Sequence, residues 1–219
     1  RVPAPMLHHI PNGINVALYQ WPPQHGSFPG LKRKMGEVIV GTIAGLRAVK
    51  NLPRLVRAVA AAGPNIRLAI AGEGPEKPVI MAEAERLGIA DRLVMPGFLT
   101  DPARYVGHFD IFALSSDSEQ FPISLVEAMA AGLPAISTDV GDVRNMVSEA
   151  NRRFIVAKDD EAGFAEALRQ LVKSAKLRAE IGAANRDLAT SSYDEEQMFA
   201  RYRKLYGDAI KRADFARQS

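Results

Sequence analysis

From Glu37 onward, short apolar runs alternate with longer amphipathic stretches, and this alternation restricts the fold more than any other feature of the chain. The runs are Val38 to Ala44, Ile66 to Ala71, Leu93 to Met95, Ile111 to Leu114, Ala135 to Ser137 and Phe154 to Val156. They are continuously apolar, as strands buried on both faces should be, where strands with one wet face would alternate. Between them Leu52, Leu55, Val56 and Val59 fall at i, i+3, i+4 and i+7, and Phe164, Leu168, Leu171 and Val172 repeat the spacing. Each set lines one stripe of a helix. The alternation predicts an α/β domain over residues 37–192, a Rossmann-like, doubly wound parallel sheet of about six strands flanked by helices. In such a sheet ligands bind beyond the carboxyl ends of the strands, so the loops that follow strands are where a site is expected.

Residues 1–36 differ, with Pro3, Pro5, Pro11, Pro22, Pro23 and Pro29 and one short apolar stretch from Ile14 to Leu18. They read as a linker and lead-in segment. Residues 193–219 read as a C-terminal helix carrying Met198, Phe199, Tyr202, Leu205 and Tyr206, its charged side facing solvent or a second domain. No run approaches the roughly 18 apolar residues of a membrane span, and the first residues show no charged-then-apolar secretory pattern, so a cytoplasmic protein is expected. With no cysteine, disulfides, thiolate nucleophiles and thiolate metal sites are excluded. His8, His9, His25 and His108 show no metal-ligand spacing, and no metal is expected. The net charge of +3 comes from Lys and Arg interleaved with Asp and Glu, which argues against a nucleic-acid groove. It suits a few local cations facing a phosphorylated small molecule, or a weak attraction to an anionic membrane surface.

The stretch Ser115 to Pro134 carries the most chemistry. Pro122 suits a helix start, Gly132 suits its end, and the pattern places Glu119 in the loop and Glu127 in the first turn. Unbonded N–H groups of a first helical turn, with the positive end of the dipole, seat an anion such as a diphosphate. Carboxylates beside that seat accept hydrogen bonds from sugar and ribose hydroxyls. Two plainer readings stand beside this one: Ser124 to Glu127 is an S-x-x-E capping box, and Glu119 serves equally as a solvated loop carboxylate. Lys50 follows the first strand and precedes Asn51, a plausible N-cap, so its charge lies at the unfavourable end of a helix dipole unless an anion answers it. Arg47 reaches the same loop mouth. Gly72-Glu73-Gly74-Pro75 and Asp139-Val140-Gly141-Asp142 read either as ligand-approaching loops or as ordinary strand-to-helix turns.

Taken in order, these segments resemble the C-terminal domain of GT-B fold glycosyltransferases, in particular the large retaining family called group 1 or family 4. The likeness runs from Ile10 to Tyr206 through Ile10-Pro11-Asn12-Gly13-Ile14-Asn15, Lys50-Asn51, Gly72-Glu73-Gly74-Pro75 and Pro96-Gly97-Phe98. It continues in the paired glutamates with Glu-Ala-Met-Ala-Ala-Gly-Leu-Pro and in Val140-Gly141-Asp142-Val143. The resemblance implies that Lys50 binds the diphosphate of a nucleotide-diphospho-sugar donor, UDP- or GDP-linked. It implies that Glu119 is the catalytic contact to the transferred sugar and that Glu127 binds the ribose hydroxyls. Backbone amides of Phe121, Ile123, Ser124 and Leu125 would hold phosphate and sugar oxygens, with no cofactor and no metal. The family's usual arginine, five residues before the lysine, is here Gly45, and Arg47 is the expected substitute if the first strand continues that far.

The resemblance further implies that an upstream, acceptor-binding domain is missing before Arg1. The piece alone should then bind donor poorly and transfer nothing. The C-terminal helix is expected to pack on that missing domain. Acceptors of the family type are saccharides, lipids or small molecules, which allows peripheral association at the inner face of a membrane. The rival readings are a catalytically inactive nucleotide- or sugar-binding module of the same fold, and a sugar-nucleotide epimerase or phosphorylase-like enzyme.

Overall fold

The computed structural model describes residues 7–19 and 27–210. Pro3, Pro5, Pro22, Pro23, His25 and residues 211–219 of the expected C-terminal helix lie outside the described residues. Six strands form one sheet: β1 Val38–Ile43, β2 Ile66–Ala71, β3 Leu93–Gly97, β4 Ile111–Leu114, β5 Ala135–Thr138 and β6 Ile155–Val156. Every neighbouring pair is parallel, in the order β3-β2-β1-β4-β5-β6. Strand order therefore reverses between β1 and β4, the doubly wound arrangement expected. β3 runs on through Pro96, which a ladder tolerates because β3 is an edge strand with no partner for that missing N–H.

Side chains alternate across the sheet and fill two cores. Val38, Val40, Leu68, Ile70, Ile111 and Ala113 face α1 Leu52–Ala62, α2 Lys77–Arg86 and α5 Glu161–Lys173. On α1 the stripe Leu52, Leu55, Val56 and Val59 is wholly buried, as its spacing requires. The opposite core holds Ile39, Ala69, Phe112 and Leu114 beneath α3 Ile123–Ala130. Behind α3, Asn185 of α6 Ala175–Ser192 donates to the Leu133 carbonyl at 2.9 Å and to Asn151 Oδ1 at 2.8 Å. Asn151 in turn pairs with both backbone groups of Ala135 at 2.7 and 2.8 Å, so this buried network is satisfied and fixes the α3–β5 turn.

The connection from β3 to β4 contains no α-helix, only 3-10 turns at Pro102–Arg104 and Val106–His108. The lead-in segment covers the face that a helix would have covered. Phe28 is buried against Tyr105, edge-on at 6.2 Å, and against Phe109 at 5.5 Å, and Ile14 and Tyr19 join the same core. Ile14 is tied down by a parallel bridge to Asp194: its N–H donates to the Tyr193 carbonyl at 2.9 Å, and its carbonyl accepts from Glu195 at 2.9 Å. That crossing point separates α6 from α7 Glu195–Ile210, and of α7 only Gly207 is buried. Among the described residues no helix is long and apolar enough to cross a membrane.

Candidate functional site

The loops after β1 and β4 meet where the strand order reverses, and they are stitched to each other. The Asp117 N–H donates to the Val49 carbonyl at 2.8 Å, and Ser115 Oγ donates to the Lys50 carbonyl at 2.9 Å. Arg54, buried on α1, bonds the Ser115 carbonyl at 2.9 Å and pairs with Asp117 at 2.9 Å. Asn51 holds the N-cap position expected of it, but in a left-handed conformation (φ 42°), and its side-chain amide donates to Asp117 instead of accepting from the helix. Asn is among the few non-glycine residues that tolerate this backbone.

This stitching brings Lys50 and Glu119 together. Lys50 Nζ lies 2.6 Å from Glu119 Oε1, which also accepts from Ser116 Oγ at 2.6 Å. The anion that answers the misplaced lysine charge is thus a residue of the chain itself. Arg47 is exposed and, among the described residues, its side chain forms no hydrogen bond or ion pair. The expectation that β1 continues to Arg47 fails: the strand ends at Ile43, and Arg47 caps a 3-10 turn at Ala48–Lys50. Its Nε nevertheless lies 3.9 Å from where a Cβ on Gly45 would stand, with nothing else near that point.

α3 begins at Ile123 with Pro122 as N-cap, in an extended conformation (ψ 108°) and without a side-chain cap. This overturns the capping-box reading. A capping box needs its serine at the extended cap position, and Ser124 is already the second helical residue. Glu127 is the fifth, in the second turn rather than the first, and its Oε1 accepts a 2.7 Å hydrogen bond from the Tyr19 hydroxyl. The Leu125 N–H is engaged with the Pro122 carbonyl at 3.1 Å, whereas the amides of Phe121, Ile123 and Ser124 find no acceptor among the described residues. The loop after β5 supports this start: the Asp142 N–H donates to the Gln120 carbonyl at 3.1 Å. Gly141, at φ 54°, lies so close to the backbone of Glu119 and Gln120 that a Cβ would collide. Gly72 and Gly74 have the same kind of explanation, since a Cβ on either would strike the Ala44 or Leu46 carbonyl. These glycines let the loops after β1 and β2 touch.

Burial raises the Glu127 carboxyl above the usual carboxylate range, an effect the Tyr19 hydrogen bond opposes. Burial and the neighbouring Glu127 charge push the Tyr19 hydroxyl up, so it stays a donor. Tyr19, Ser116, Asp117 and Arg54 were not singled out by the sequence reading. Among the described residues no group of three or more His, Asp or Glu side chains is placed to hold a metal ion.

Residues 26–188 match the family described as glycosyl transferases group 1. The chain belongs to that family. The chain is 28% identical over 187 residues to N-acetyl-alpha-D-glucosaminyl L-malate synthase of Bacillus anthracis, covering 83% of this chain and 49% of that protein. It is 31% identical over 187 residues to D-inositol 3-phosphate glycosyltransferase of Stackebrandtia nassauensis, covering 82% and 40%. A group 1 chain of this kind spans half or less of the length of these curated relatives. In fold it is similar to the Anabaena protein HepE crystallised with UDP, with TM-score 0.79, 20% identity, and 90% of this chain and 56% of that one covered. It is similarly close to sucrose-phosphate synthase of Thermosynechococcus elongatus, with TM-score 0.78, 22% identity, and 92% and 52% covered. The six-stranded Rossmann-like sheet is thus one half of a GT-B fold.

Proposed function

We propose that this site binds the nucleotide-diphospho-sugar donor of a retaining glycosyltransferase, with UDP or GDP as the leaving group. The observation that carries the reading is the 2.6 Å contact of Lys50 with Glu119, which joins the loops after β1 and β4 at the switch point, the second loop leading into the open amides at the start of α3. Lys50, Arg47 and the amides of Phe121, Ile123 and Ser124 would hold the diphosphate. Glu119 would face the sugar and Glu127 the ribose. Negative charge grows on the departing diphosphate, so fixed cations and amide dipoles aimed there favour the transition state over the ground state. Oε1 of Glu119 is taken by Lys50 and Ser116, leaving its second oxygen to accept from a sugar hydroxyl.

Support from outside the chain comes from HepE, solved with UDP, and from relatives named for sugar transfer. Retention and the need for an upstream acceptor domain rest on the resemblance to the retaining family. Arg47 Nε lies 3.9 Å from where a Cβ on Gly45 would stand, which supports Arg47 as the substitute for the missing arginine. The test is stereochemical: the chain, joined to the N-terminal half of a group 1 relative, is incubated with UDP- and GDP-sugars and an acceptor, and the new anomeric centre is read by proton NMR. A product with the donor's configuration supports the proposal. An inverted product, an epimerised free sugar nucleotide, or tight nucleotide binding without turnover contradicts it.

A further inference from the structure

Glu127 is a half-buried carboxylate with one oxygen engaged and one open. Oε1 accepts from Tyr19 at 2.7 Å, while Oε2 has no protein partner among the described residues. Nor is Oε2 sealed: among the described residues the buried side-chain atoms left without partners are Arg54 Nε, His108 Nε2 and Arg186 Nε. The phenol that engages Oε1 is itself held in place. Tyr19 is 8% exposed, its N–H donates to the Val16 carbonyl at 3.2 Å, and the 3-10 turn Val16–Leu18 before it packs on α3. That turn follows directly from Ile14, anchored at the α6–α7 crossing. A glutamate has three rotatable side-chain bonds, and a rigid donor on one oxygen removes most of that freedom before any ligand arrives.

We infer that Tyr19 is a positioning residue of the donor site: its hydroxyl fixes the Glu127 carboxylate so that Oε2 is presented to the vicinal hydroxyls of the nucleotide's ribose. This rests on the reading of the cleft as a nucleotide-diphospho-sugar site. The hydrogen bond also offsets the burial that disfavours the ionised form of Glu127. An ionised carboxylate accepts from both hydroxyls, which a carboxylic acid does less well. Tyr19 lies 108 residues before Glu127, in the lead-in segment, so ribose recognition is shared between that segment and α3.

The test is calorimetric titration of UDP and GDP, their 2′,3′-dideoxy counterparts and inorganic pyrophosphate into wild type, Tyr19→Phe and Glu127→Ala. Tyr19→Phe should weaken the ribonucleotide about tenfold, the value of a hydrogen bond to a charged acceptor, and should barely change dideoxynucleotide or pyrophosphate binding. The dideoxy change and the Tyr19 change should not add, because both act through Glu127. An unchanged or tighter ribonucleotide, or an equal loss on the dideoxy analogue, overturns the role of Tyr19 while Glu127→Ala still loses affinity. If wild type binds neither nucleotide, or Glu127→Ala binds as wild type does, the donor-site reading falls and this inference with it.

Discussion

Lys50 is paired with Glu119, so in the proposed donor site a diphosphate would have to compete for it. The two groups stand 2.6 Å apart with 24% and 11% of their side chains exposed. At an effective dielectric of about 20 such a contact is worth several kcal/mol of gross attraction. Desolvation and partial exposure reduce the net hold to about 1–2 kcal/mol, between an exposed pair and a fully buried one. Glu119→Gln removes that hold while keeping an acceptor for Ser116, so the lysine is released to the incoming phosphates. We expect Glu119→Gln to bind UDP or GDP about five- to tenfold more tightly than wild type, and to lose sugar transfer in the protein that carries out transfer. Isothermal calorimetry with the sugar-free nucleotide measures the first effect without interference from lost sugar contacts. Weaker or unchanged affinity would refute the competition and place the diphosphate away from Lys50.

Three further outcomes follow from the same geometry. Arg47→Ala should weaken nucleoside diphosphate binding, and adding Gly45→Arg should restore it, because position 45 has room for a side chain and its backbone is not in the left-handed region; calorimetry of the single and double variants decides it. Phe28→Ala should cost about 3–5 kcal/mol in urea unfolding, since its ring fills the face left bare between β3 and β4. Arg86 and Arg57 hold the Glu83 carboxyl down to about 2 from 4.5. The stability it contributes is therefore full above pH 4.5 and lost as pH falls towards 2, and Glu83→Gln should flatten that limb of a pH-dependent melting curve.

The sheet was legible because strands buried on two faces leave continuous apolar runs, and those from Ile66 and Ile111 end where the runs end. Lys50 and Glu119 were legible as loop residues after strands, though their mutual ion pair was not, since nothing local joins positions 69 residues apart. The capping-box alternative for Glu127 arose because S-x-x-E matches the local pattern, while Pro122 takes the extended cap position that Ser124 would have needed. Tyr19 was missed because the lead-in segment has prolines and no periodicity. Its one signal was an aromatic at the end of the short apolar stretch after Asn12-Gly13.

The most direct measurement is titration of UDP and GDP into the wild-type chain and into Lys50→Ala, with melting temperatures recorded for both. The donor-site account predicts that one nucleotide binds wild type, and that Lys50→Ala loses that binding while melting close to wild type. Equal binding by the two proteins would contradict it.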